Sequence, residues 1–500
     1  MKHNRNTINL IRFKRNMQYI STLLFVLTMI FLVSNNAKAN VEEFTIYDGE
    51  LWSYHGSGGE VTIPDNVTSI GSDVFNNCTS ITKITIPNSV KNIESGAFAG
   101  CSGLTKVTIP ISVKEIGFSA FYSCTSLTEV EIPDSLTSIG AGAFRNTPWL
   151  NAKQEESNFV IVNGILIDGR NCKGNITIPK SVKGIGDGAF ASCTGLKKIT
   201  IPNSVNSIGE QAFDNCTKLV KVTISNSVKS IGDYAFENCI SLQKITIPKS
   251  IKNIGDDCFG NCKSLKEITI PKSIKSIGGA AFSGCKNLKK IIIPKSVKSI
   301  GSDAFNNTPW LKAKQKVKQK ETKFVTVNNI LIDVVNCKDV VEIPKSVKSI
   351  GGGVFASTGI KKVLIPKTVK SIGEYAFFGC KNLKTVTIPN SVIYIEDFAF
   401  DRCTKLESII ISNSAKSLGR ESFGNCTSLK NVIIPKSVKS IGWGAFIECT
   451  NLKTITIPKS VTSIVENAFL FCSSSMVIIG TEGSYVQTFA EKYNVQFKAK

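Results

Sequence analysis

The sequence predicts a repeat solenoid, in which about twenty stacked coils of 23 residues share a parallel β-sheet and short helical turns. Three observations predict this fold. One pattern, I-x-I-P-x-S-V-x-x-I-G-x-x-A-F-x-x-C-x-x-L, recurs along most of the chain. Its phenylalanines stand 23 residues apart within each uninterrupted block of coils, except for a step of 22 residues from Phe355 to Phe377. A single coil buries too little apolar surface to offset its ordering entropy, so neighbouring coils must bury one another's faces.

The unit from Ile199 to Lys221 shows the predicted elements of one coil in order. Ile199 and Ile201 alternate with polar residues, which indicates a short half-buried strand. Pro202 follows directly, and because proline cannot donate to a sheet ladder it marks the end of that strand. The first part of each coil is therefore predicted to be a strand of a parallel sheet.

The rest of the unit predicts a second strand and a turn. Val205 and Ile208 form another short extended piece. They are followed by inward-facing residues at the spacing of a short helical turn, namely Ala212, Phe213, Cys216 and Leu219.

A glycine such as Gly209 follows the second strand in most units. Left-handed backbone favours glycine, but Glu94, Glu396 and Val465 occupy this position in three units. Since a β-branched residue disfavours positive φ, we expect the glycine to relieve crowding between coils.

The spacing L-x-x-I-x-I-P resembles the strand segment of leucine-rich repeats. The whole unit, with Ser-Val after the proline and Ala-Phe-x-x-Cys later, resembles the BspA-like leucine-rich repeat family. The resemblance covers nearly all of the chain beyond the first 39 residues. It implies a leucine-rich repeat solenoid that belongs to a secreted or cell-surface bacterial protein and serves in adhesion.

The first residues, 1–39, are predicted to be a secretory signal peptide. Basic residues such as Arg12 and Lys14 precede an apolar run from Ile20 to Val33, and Ala37 to Ala39 form a small-residue cleavage site. The apolar run is short for a membrane span, although an uncleaved anchor is the alternative. We expect no membrane span after cleavage.

Residues 40–500 are predicted to form one solenoid with variant coils. The sequence N-T-P-W-L occurs at both 146–150 and 307–311, and each copy is followed by a polar stretch and a hairpin-like segment. The expected parts are an N-terminal cap at 40–64, island coils at 146–178 and 307–343, and a C-terminal cap at 473–500. The last part should contain a short helix capped by Ser484 and a final strand.

The chain carries a formal net charge of +22, almost entirely from lysine, which favours an anionic partner. The export signal argues against nucleic acid as that partner. Strand alternation should direct the repeat threonines and the lysines before the first isoleucine outward, and a second lysine row follows the repeat valine. The candidate binding residues are Lys198, Lys221, Lys244, Thr200, Thr223, Thr246, Lys229, Lys252, Lys275 and Lys298. An alternative interpretation is that these lysines serve solubility and edge protection.

The sequence contains no recognisable catalytic or cofactor motif. Beyond the predicted leader the only histidine is His55, which lies in the N-terminal cap. The basic run from Lys312 to Lys323 is interpreted as a solvated loop. No cofactor, metal site or enzymatic activity is predicted.

The 16 cysteines fit buried thiols better than disulfides or metal ligands, although both alternatives stay open. Equivalent residues on adjacent coils stack about 4.8 Å apart with parallel side chains, which suits a disulfide poorly. Thr147, Thr308 and Thr358 replace the repeat cysteine in three units. Cys172, Cys258 and Cys337 lie outside the repeat position and have no predicted role beyond packing.

The sequence therefore predicts a non-catalytic secreted or cell-surface scaffold that binds an extracellular protein or an anionic glycan, with adhesion as its function. The alternative is a structural component of the cell envelope that its lysine rows hold to an anionic wall polymer. The pattern does not identify a ligand or an oligomeric state.

Overall fold

The computed structural model describes residues 43–316 and 321–500. The predicted signal peptide lies outside these residues, as does part of the basic run from Lys312 to Lys323. The described chain is a β-solenoid of about 19 turns that follow one another at about 23 residues, which confirms the predicted fold class. No helix within the described residues is long and apolar enough to span a bilayer.

Contacts divide the chain into two compact units. Among the described residues, unit 1 comprises 43–137 and Ala143–Asn151, and unit 2 comprises Ser138–Gly142, 152–316 and 321–500. Both units repeat the same kind of coil. The expectation that 40–500 forms one domain stays a prediction.

Each coil contributes two short strands, and equivalent strands of successive coils pair in parallel. The A-series strands carry the I-x-I motif, and the B-series strands carry the later isoleucine. In unit 2, Ile199 pairs with Val222 in the A series. A turn separates the two series, closed by a 3.2 Å bond from the Val205 N–H to the Pro202 carbonyl. The motif isoleucines and valines, such as Ile199, Val222 and Ile208, face the core.

In unit 1 a hairpin, Phe44–Tyr47 and Glu50–Tyr54, starts the B series, which continues with Ser69–Ile70, Asn92–Ile93 and Glu115–Ile116. The A series of unit 1 is Gly59–Thr62, Ile81–Thr85, Lys106–Thr108 and Glu129–Glu131.

Unit 2 has the longer series. Its A-series strands are Gly174–Thr177, Leu196–Ile201, Lys221–Ile224, Lys244–Ile245, Glu267–Thr269, Lys290–Ile292, Val340–Glu342, Lys362–Leu364, Thr385–Thr387, Ser408–Ile410, Asn431–Ile433, Thr454–Thr456, Val477–Gly480 and Gln496–Ala499. Its B-series strands are Ser138–Ile139, Gly184–Ile185, Ser207–Ile208, Ser230–Ile231, Asn253–Ile254, Ser276–Ile277, Ser299–Ile300, Ser349–Ile350, Ser371–Ile372, Tyr394–Ile395, Ser417–Leu418, Ser440–Ile441 and Ser463–Ile464, with hairpins Val160–Val162/Ile165–Asp168 and Lys323–Val327/Ile330–Val335.

The third side of each coil is a run of hydrogen-bonded turns. The Cys216 N–H donates to the Phe213 carbonyl at 3.2 Å, as one helical turn would, and the Phe213 N–H donates to Ala235 of the next coil at 2.8 Å. Gln211 and Asn215 have φ of +54° and +56°. Because left-handed residues interrupt a right-handed helix, the turn does not extend into one.

Phenylalanine rings form the centre of the core. The Phe213 and Phe236 ring centroids lie 5.1 Å apart with planes 2° from parallel, and Phe236 stacks on Phe259 at 5.6 Å. Phe236 is fully buried. The 23-residue ring spacing therefore becomes a continuous stack through the block.

The repeat glycine relieves crowding, as predicted. A Cβ on Gly209 would lie 2.6 Å from the backbone nitrogen of Asp187, and one on Gly232 would lie 2.5 Å from that of Glu210. Neither glycine has positive φ. The close approach of adjacent coils is thus the reason for glycine at this position.

The island coils contain the predicted hairpins and also helices that the sequence reasoning missed. The helices are Pro148–Glu156 and Pro309–Gln315. Thr308 accepts a bond from the Leu311 N–H at 3.1 Å and precedes the first helical proline, a standard helix start. Each helix has only a little apolar surface, so periodicity did not indicate it.

The C-terminal cap has the predicted helix, Tyr485–Lys492, and the final strand. Phe497 in that strand pairs with Ile478, so the strand continues the A series. Ser484 occupies the N-cap position, but its hydroxyl donates to the Thr481 carbonyl at 2.5 Å instead of accepting from the helix. Ser484 is therefore the N-cap residue of this helix, as predicted, but its side chain makes no capping bond.

Candidate binding surface

Three candidate lysines line up on adjacent A-series strands of unit 2. Lys198 is the register partner of Lys221, and Lys221 of Lys244. All three are exposed, while Ile199 and Val222 beside them are buried. Alternation along the strand therefore directs the lysines outward, as predicted.

The candidate threonines accompany these lysines. Thr200 pairs with Thr223 in the same two strands, and both are exposed. Thr246 is also exposed and follows the third strand. We call the three lysines, Lys198, Lys221 and Lys244, the lysine strip.

The second lysine row lies on the other strand series. Lys229, Lys252, Lys275 and Lys298 are exposed and directly precede B-series strands. The Lys275 N–H donates to the Lys252 carbonyl at 2.7 Å, and the Lys298 N–H to the Lys275 carbonyl at 2.8 Å. The structure thus brings the lysine strip together with the threonines in one sheet and places the second row outside that sheet.

The lysine strip differs in its ion pairing from three of the four other lysines that begin or lie in A-series strands at this position, and Lys362 resembles the strip in having no ion pair within the described residues. The three paired lysines meet acids of neighbouring coils: Lys83 Nζ lies 3.0 Å from Glu60 Oε2, Lys106 Nζ 2.7 Å from Glu131 Oε1 and Lys290 Nζ 3.8 Å from Glu267 Oε2. Within residues 43–316 and 321–500, no acidic oxygen lies within 4.0 Å of a lysine-strip Nζ. The strip therefore presents uncompensated positive charge.

An open groove of 490 Å³ adjoins the lysine strip. Ile201, Pro202 and Ile224 form its apolar floor, and hydroxyl and amide groups of Thr200, Thr223, Asn203 and Ser225 line it together with Lys180. Ser225 occupies the position at which most coils have proline. Its hydroxyl donates to Asn203 Oδ1. Two of the candidate threonines thus belong to a concave feature.

The acids of the coil lie on the turn side and have a structural role. Asp187 Oδ1 accepts from the Glu210 N–H at 2.7 Å, and Asp256 Oδ1 accepts from the Gly279 N–H at 2.7 Å. Burial raises the pKa of Asp187 and also that of Glu210, where the charges of Asp187 and Asp233 add to the effect. These carboxylates connect successive coils, away from the lysines.

The repeat cysteines are thiols that donate to backbone carbonyls of the preceding coil. Cys239 Sγ lies 3.2 Å from the Phe213 carbonyl oxygen, and Cys262 Sγ lies 3.3 Å from that of Phe236. Burial raises the pKa of Cys285 to about 12. A thiol held this far from ionisation is a poor nucleophile and a poor metal ligand.

The threonines that replace the repeat cysteine donate hydrogen bonds to backbone carbonyls of their own coil. Thr147 donates to the Phe144 carbonyl at 2.7 Å, and Thr308 donates to that of Phe305 at 2.7 Å. Both residues end a block. Thr358 donates in the same way to the Phe355 carbonyl at 2.7 Å, and that oxygen also accepts from Cys380 of the next coil.

The cysteines outside the repeat position also have local roles. Cys172 is buried and donates to the Asn158 carbonyl at 3.4 Å, and Cys258 fills an alanine position in the core. Cys337 is half-buried, with its sulfur 3.8 Å from the Lys338 carbonyl. Within the described residues no three His, Cys, Asp or Glu side chains form a group that could hold a metal ion.

Within the part of the chain that the structure describes, the ring of His55 contacts two hydroxyl groups. Its Nε2 lies 2.9 Å from Ser53 Oγ and 3.3 Å from Thr45 Oγ1, all at an exposed position. No carboxylate orients the imidazole in these contacts. The arrangement does not resemble a catalytic triad.

Sequence reasoning missed a cluster on the turn side of unit 2. The Arg420 guanidinium lies between two aromatic rings, 5.5 Å from the Phe398 centroid and 4.7 Å from that of Trp443. Phe398 stacks in turn on Tyr375 at 4.7 Å. Arg402 lies over Phe378 at 5.9 Å. These cation–π contacts continue one stack over several coils.

Two buried acids lie beneath the arginines. Asp401 Oδ2 is 3.6 Å from Arg402 Nε, and Glu421 Oε1 is 3.7 Å from Arg420 Nε. Burial, together with Glu421, raises the pKa of Asp401 to about 8, and burial raises that of Glu421 to about 7.

One signal in the sequence could have pointed to this cluster. Beyond residue 39 the chain has only four arginines: Arg145, Arg170, Arg402 and Arg420. Two of the four lie in this cluster.

The sequence matches the family described as the BspA type leucine-rich repeat region of six copies, over residues 50–165, 170–263, 208–326 and 348–476. These matches cover most of the chain. The chain therefore belongs to the BspA-type leucine-rich repeat family, as the resemblance predicted. No curated protein matches it.

Several solved structures are similar to this chain. A leucine-rich repeat protein from Bacteroides ovatus ATCC 8483 is 24% identical, with 93% of this chain and 98% of that chain covered and a TM-score of 0.31. A leucine rich cell surface protein from Faecalibacterium prausnitzii A2-165 is 25% identical, with 91% and 97% covered and a TM-score of 0.28. The TM-scores are low, so the family assignment rests on the repeat match.

Proposed function

We propose that the chain is a non-catalytic scaffold, displayed outside a bacterial cell, that binds extracellular macromolecules through the lysine strip. One observation carries this proposal: Lys198, Lys221 and Lys244 are aligned on adjacent strands and have no acidic partner within the described residues. Paired lysines such as Lys83 occupy the same position in unit 1. Membership of the BspA-type family supports a repeat scaffold.

The spacing of the lysine strip favours a long anionic partner. Adjacent strands lie about 4.8 Å apart, which is shorter than the Debye length of about 8 Å at physiological salt. The fields of the three ammonium groups therefore add. A single exposed ion pair contributes about 0–1 kcal/mol, so affinity has to come from several contacts made together.

The other titratable groups support binding over catalysis. The repeat thiols are buried, and the ring of His55 contacts Ser53 and Thr45. The function we propose is adhesion to host matrix proteins, host cells or other microbes. The chemistry of the strip applies equally to acidic glycans and to acidic protein surfaces.

The test is a binding screen of residues 40–500 against matrix proteins and glycans at two salt concentrations. A variant with Lys198, Lys221 and Lys244 changed to alanine should lose most of its affinity and salt dependence. The matched control changes three paired lysines, Lys83, Lys106 and Lys290, and should bind within about twofold of wild type.

Equal loss in both triple variants would show that net charge, and not the strip, determines binding. Salt-sensitive retention on the producing cells, with no binding to any member of the panel, would instead support a structural envelope component.

A further inference from the structure

The groove beside the lysine strip arises at a departure from the repeat. Most coils have proline after the second isoleucine of the I-x-I motif, but two coils have serine there, Ser225 and Ser412. Ser412 is fully buried and donates to the Val392 carbonyl at 2.6 Å. Ser225 instead lines the groove. The same substitution thus has different outcomes in the two coils.

The backbone around Ser225 is held in place without a proline ring. Its N–H donates to the Ile201 carbonyl at 3.2 Å, a bond that proline could not make. The Ser227 N–H and hydroxyl both approach Ser225 Oγ, at 3.2 and 3.0 Å. The hydroxyl of Ser225 is therefore fixed at the edge of the groove.

The groove combines two kinds of surface. In its apolar lining, the half-buried Pro202 and Ile224 can contact the C–H face of a ring. The groove volume of 490 Å³ falls in the range of small-molecule sites, about 300–1,000 Å³. Hydroxyl and amide groups both donate and accept hydrogen bonds, so the rim made by Thr200, Thr223 and Asn203 matches a ligand that carries hydroxyls.

Positive charge lies directly beside these groups. Lys180 lines the groove. Lys198 and Lys221 precede Thr200 and Thr223 by two residues in the same strands, so both pairs share one exposed face. A ligand that places its ring in the groove would bring a carboxylate or sulfate group to lysines that lack an acidic partner within the described residues.

The sheet disfavours an extended peptide at this site. Lys221–Ile224 pairs with Leu196–Ile201 on one side and with Lys244–Ile245 on the other. The backbone of Lys221 and Val222 therefore offers no free edge to which a peptide strand could add.

We propose that this groove binds one acidic sugar residue, carboxylated or sulfated, of an extracellular glycan. The proposal rests on the proposed binding function and names the ligand class of the same surface. The apolar lining contacts the sugar ring, Thr200, Thr223 and Asn203 bind its hydroxyls, and the neighbouring lysines bind its charge.

The experiment measures affinity by calorimetry for a heparin hexasaccharide, a hyaluronan hexasaccharide and polyglutamate of similar length. Ser225→Pro restores the repeat residue and fills part of the groove. We expect it to weaken binding of at least one saccharide by about tenfold or more. Thr223→Val keeps the volume and removes one hydroxyl, and it should weaken the same binding by about three- to tenfold. Thr269→Val, on an A-series strand outside the groove, is the matched control and should stay within about twofold.

The two saccharides separate sulfate from carboxylate recognition. If Ser225→Pro and Thr223→Val leave saccharide binding unchanged while the lysine-strip variant abolishes it, the groove proposal is wrong and the proposed function survives. If polyglutamate binds as tightly as the saccharides and responds to the same variants, the ligand class is wrong. If the lysine-strip variant retains full affinity, the proposed function itself fails.

Discussion

Replacing Phe236 by alanine tests whether stacked rings hold adjacent coils together. Phe236 is fully buried, and its ring lies between those of Phe213 and Phe259 at 5.1 and 5.6 Å. A buried phenylalanine-to-alanine change costs about 3–5 kcal/mol. Each aromatic pair adds about 0.5–1.5 kcal/mol beyond buried area, and this site loses two. We therefore expect the upper part of that range.

The assay combines urea unfolding with hydrogen exchange followed by mass spectrometry. Exchange should rise in the coils that contain Phe213 and Phe259, because each coil contacts its neighbours most closely. Phe118→Ala is the control, since Phe118 is 50% exposed, and it should cost less than about 1 kcal/mol. Faster exchange around Phe75, with none near Phe236, would refute the stacked-coil reasoning.

Three further predictions concern thiols, buried acids and the second lysine row. Thiol titration of the denatured, unreduced protein should find most of the 16 cysteines free; fewer than about four free thiols would contradict the thiol assignment. Because the pKa of Asp401 is raised to about 8 in the folded state, the folded state binds the extra proton, and the free energy of unfolding should fall by roughly 1–3 kcal/mol as pH rises from about 4 to 8. Asp401→Asn should make the free energy of unfolding less dependent on pH, as measured by urea unfolding monitored through tryptophan fluorescence. An unchanged pH dependence in this variant would contradict a raised pKa of Asp401. Lys252→Ala should alter affinity for the best partner by less than about fivefold. Because the second row lies outside the sheet of the lysine strip, changing Lys229, Lys252, Lys275 and Lys298 together should weaken binding less than the lysine-strip variant does, and loss of binding from one lysine alone would indicate a localised site.

The repeated part of the fold was predictable because its signals lie within one coil. Alternation around Ile199, the strand end at Pro202 and the tolerance of Val465 at the glycine position each follow from local backbone rules. Repetition multiplied these weak signals into a clear prediction. The island helices escaped because Pro148–Glu156 buries only Leu150 and has little apolar periodicity.

What the sequence did not reveal depends on residues that meet between coils. The Lys106 ammonium group forms an ion pair with Glu131 of the next coil, whereas the register partners of Lys221 in its sheet are lysines. The Arg420 stack likewise joins Phe398 and Trp443, residues 22 and 23 positions away. These pairs lie side by side only once the coil length is fixed.

The proposed role of the lysine strip is tested most directly by lysine acetylation footprinting, with and without the tightest partner from the binding screen. Protection is expected at Lys198, Lys221 and Lys244, because bound anions shield their ammonium groups from the reagent. Lys83 and Lys106, which are already paired with acids, should react equally in both samples. Protection at Lys83 and Lys106 with none at the lysine strip would contradict the proposed binding surface.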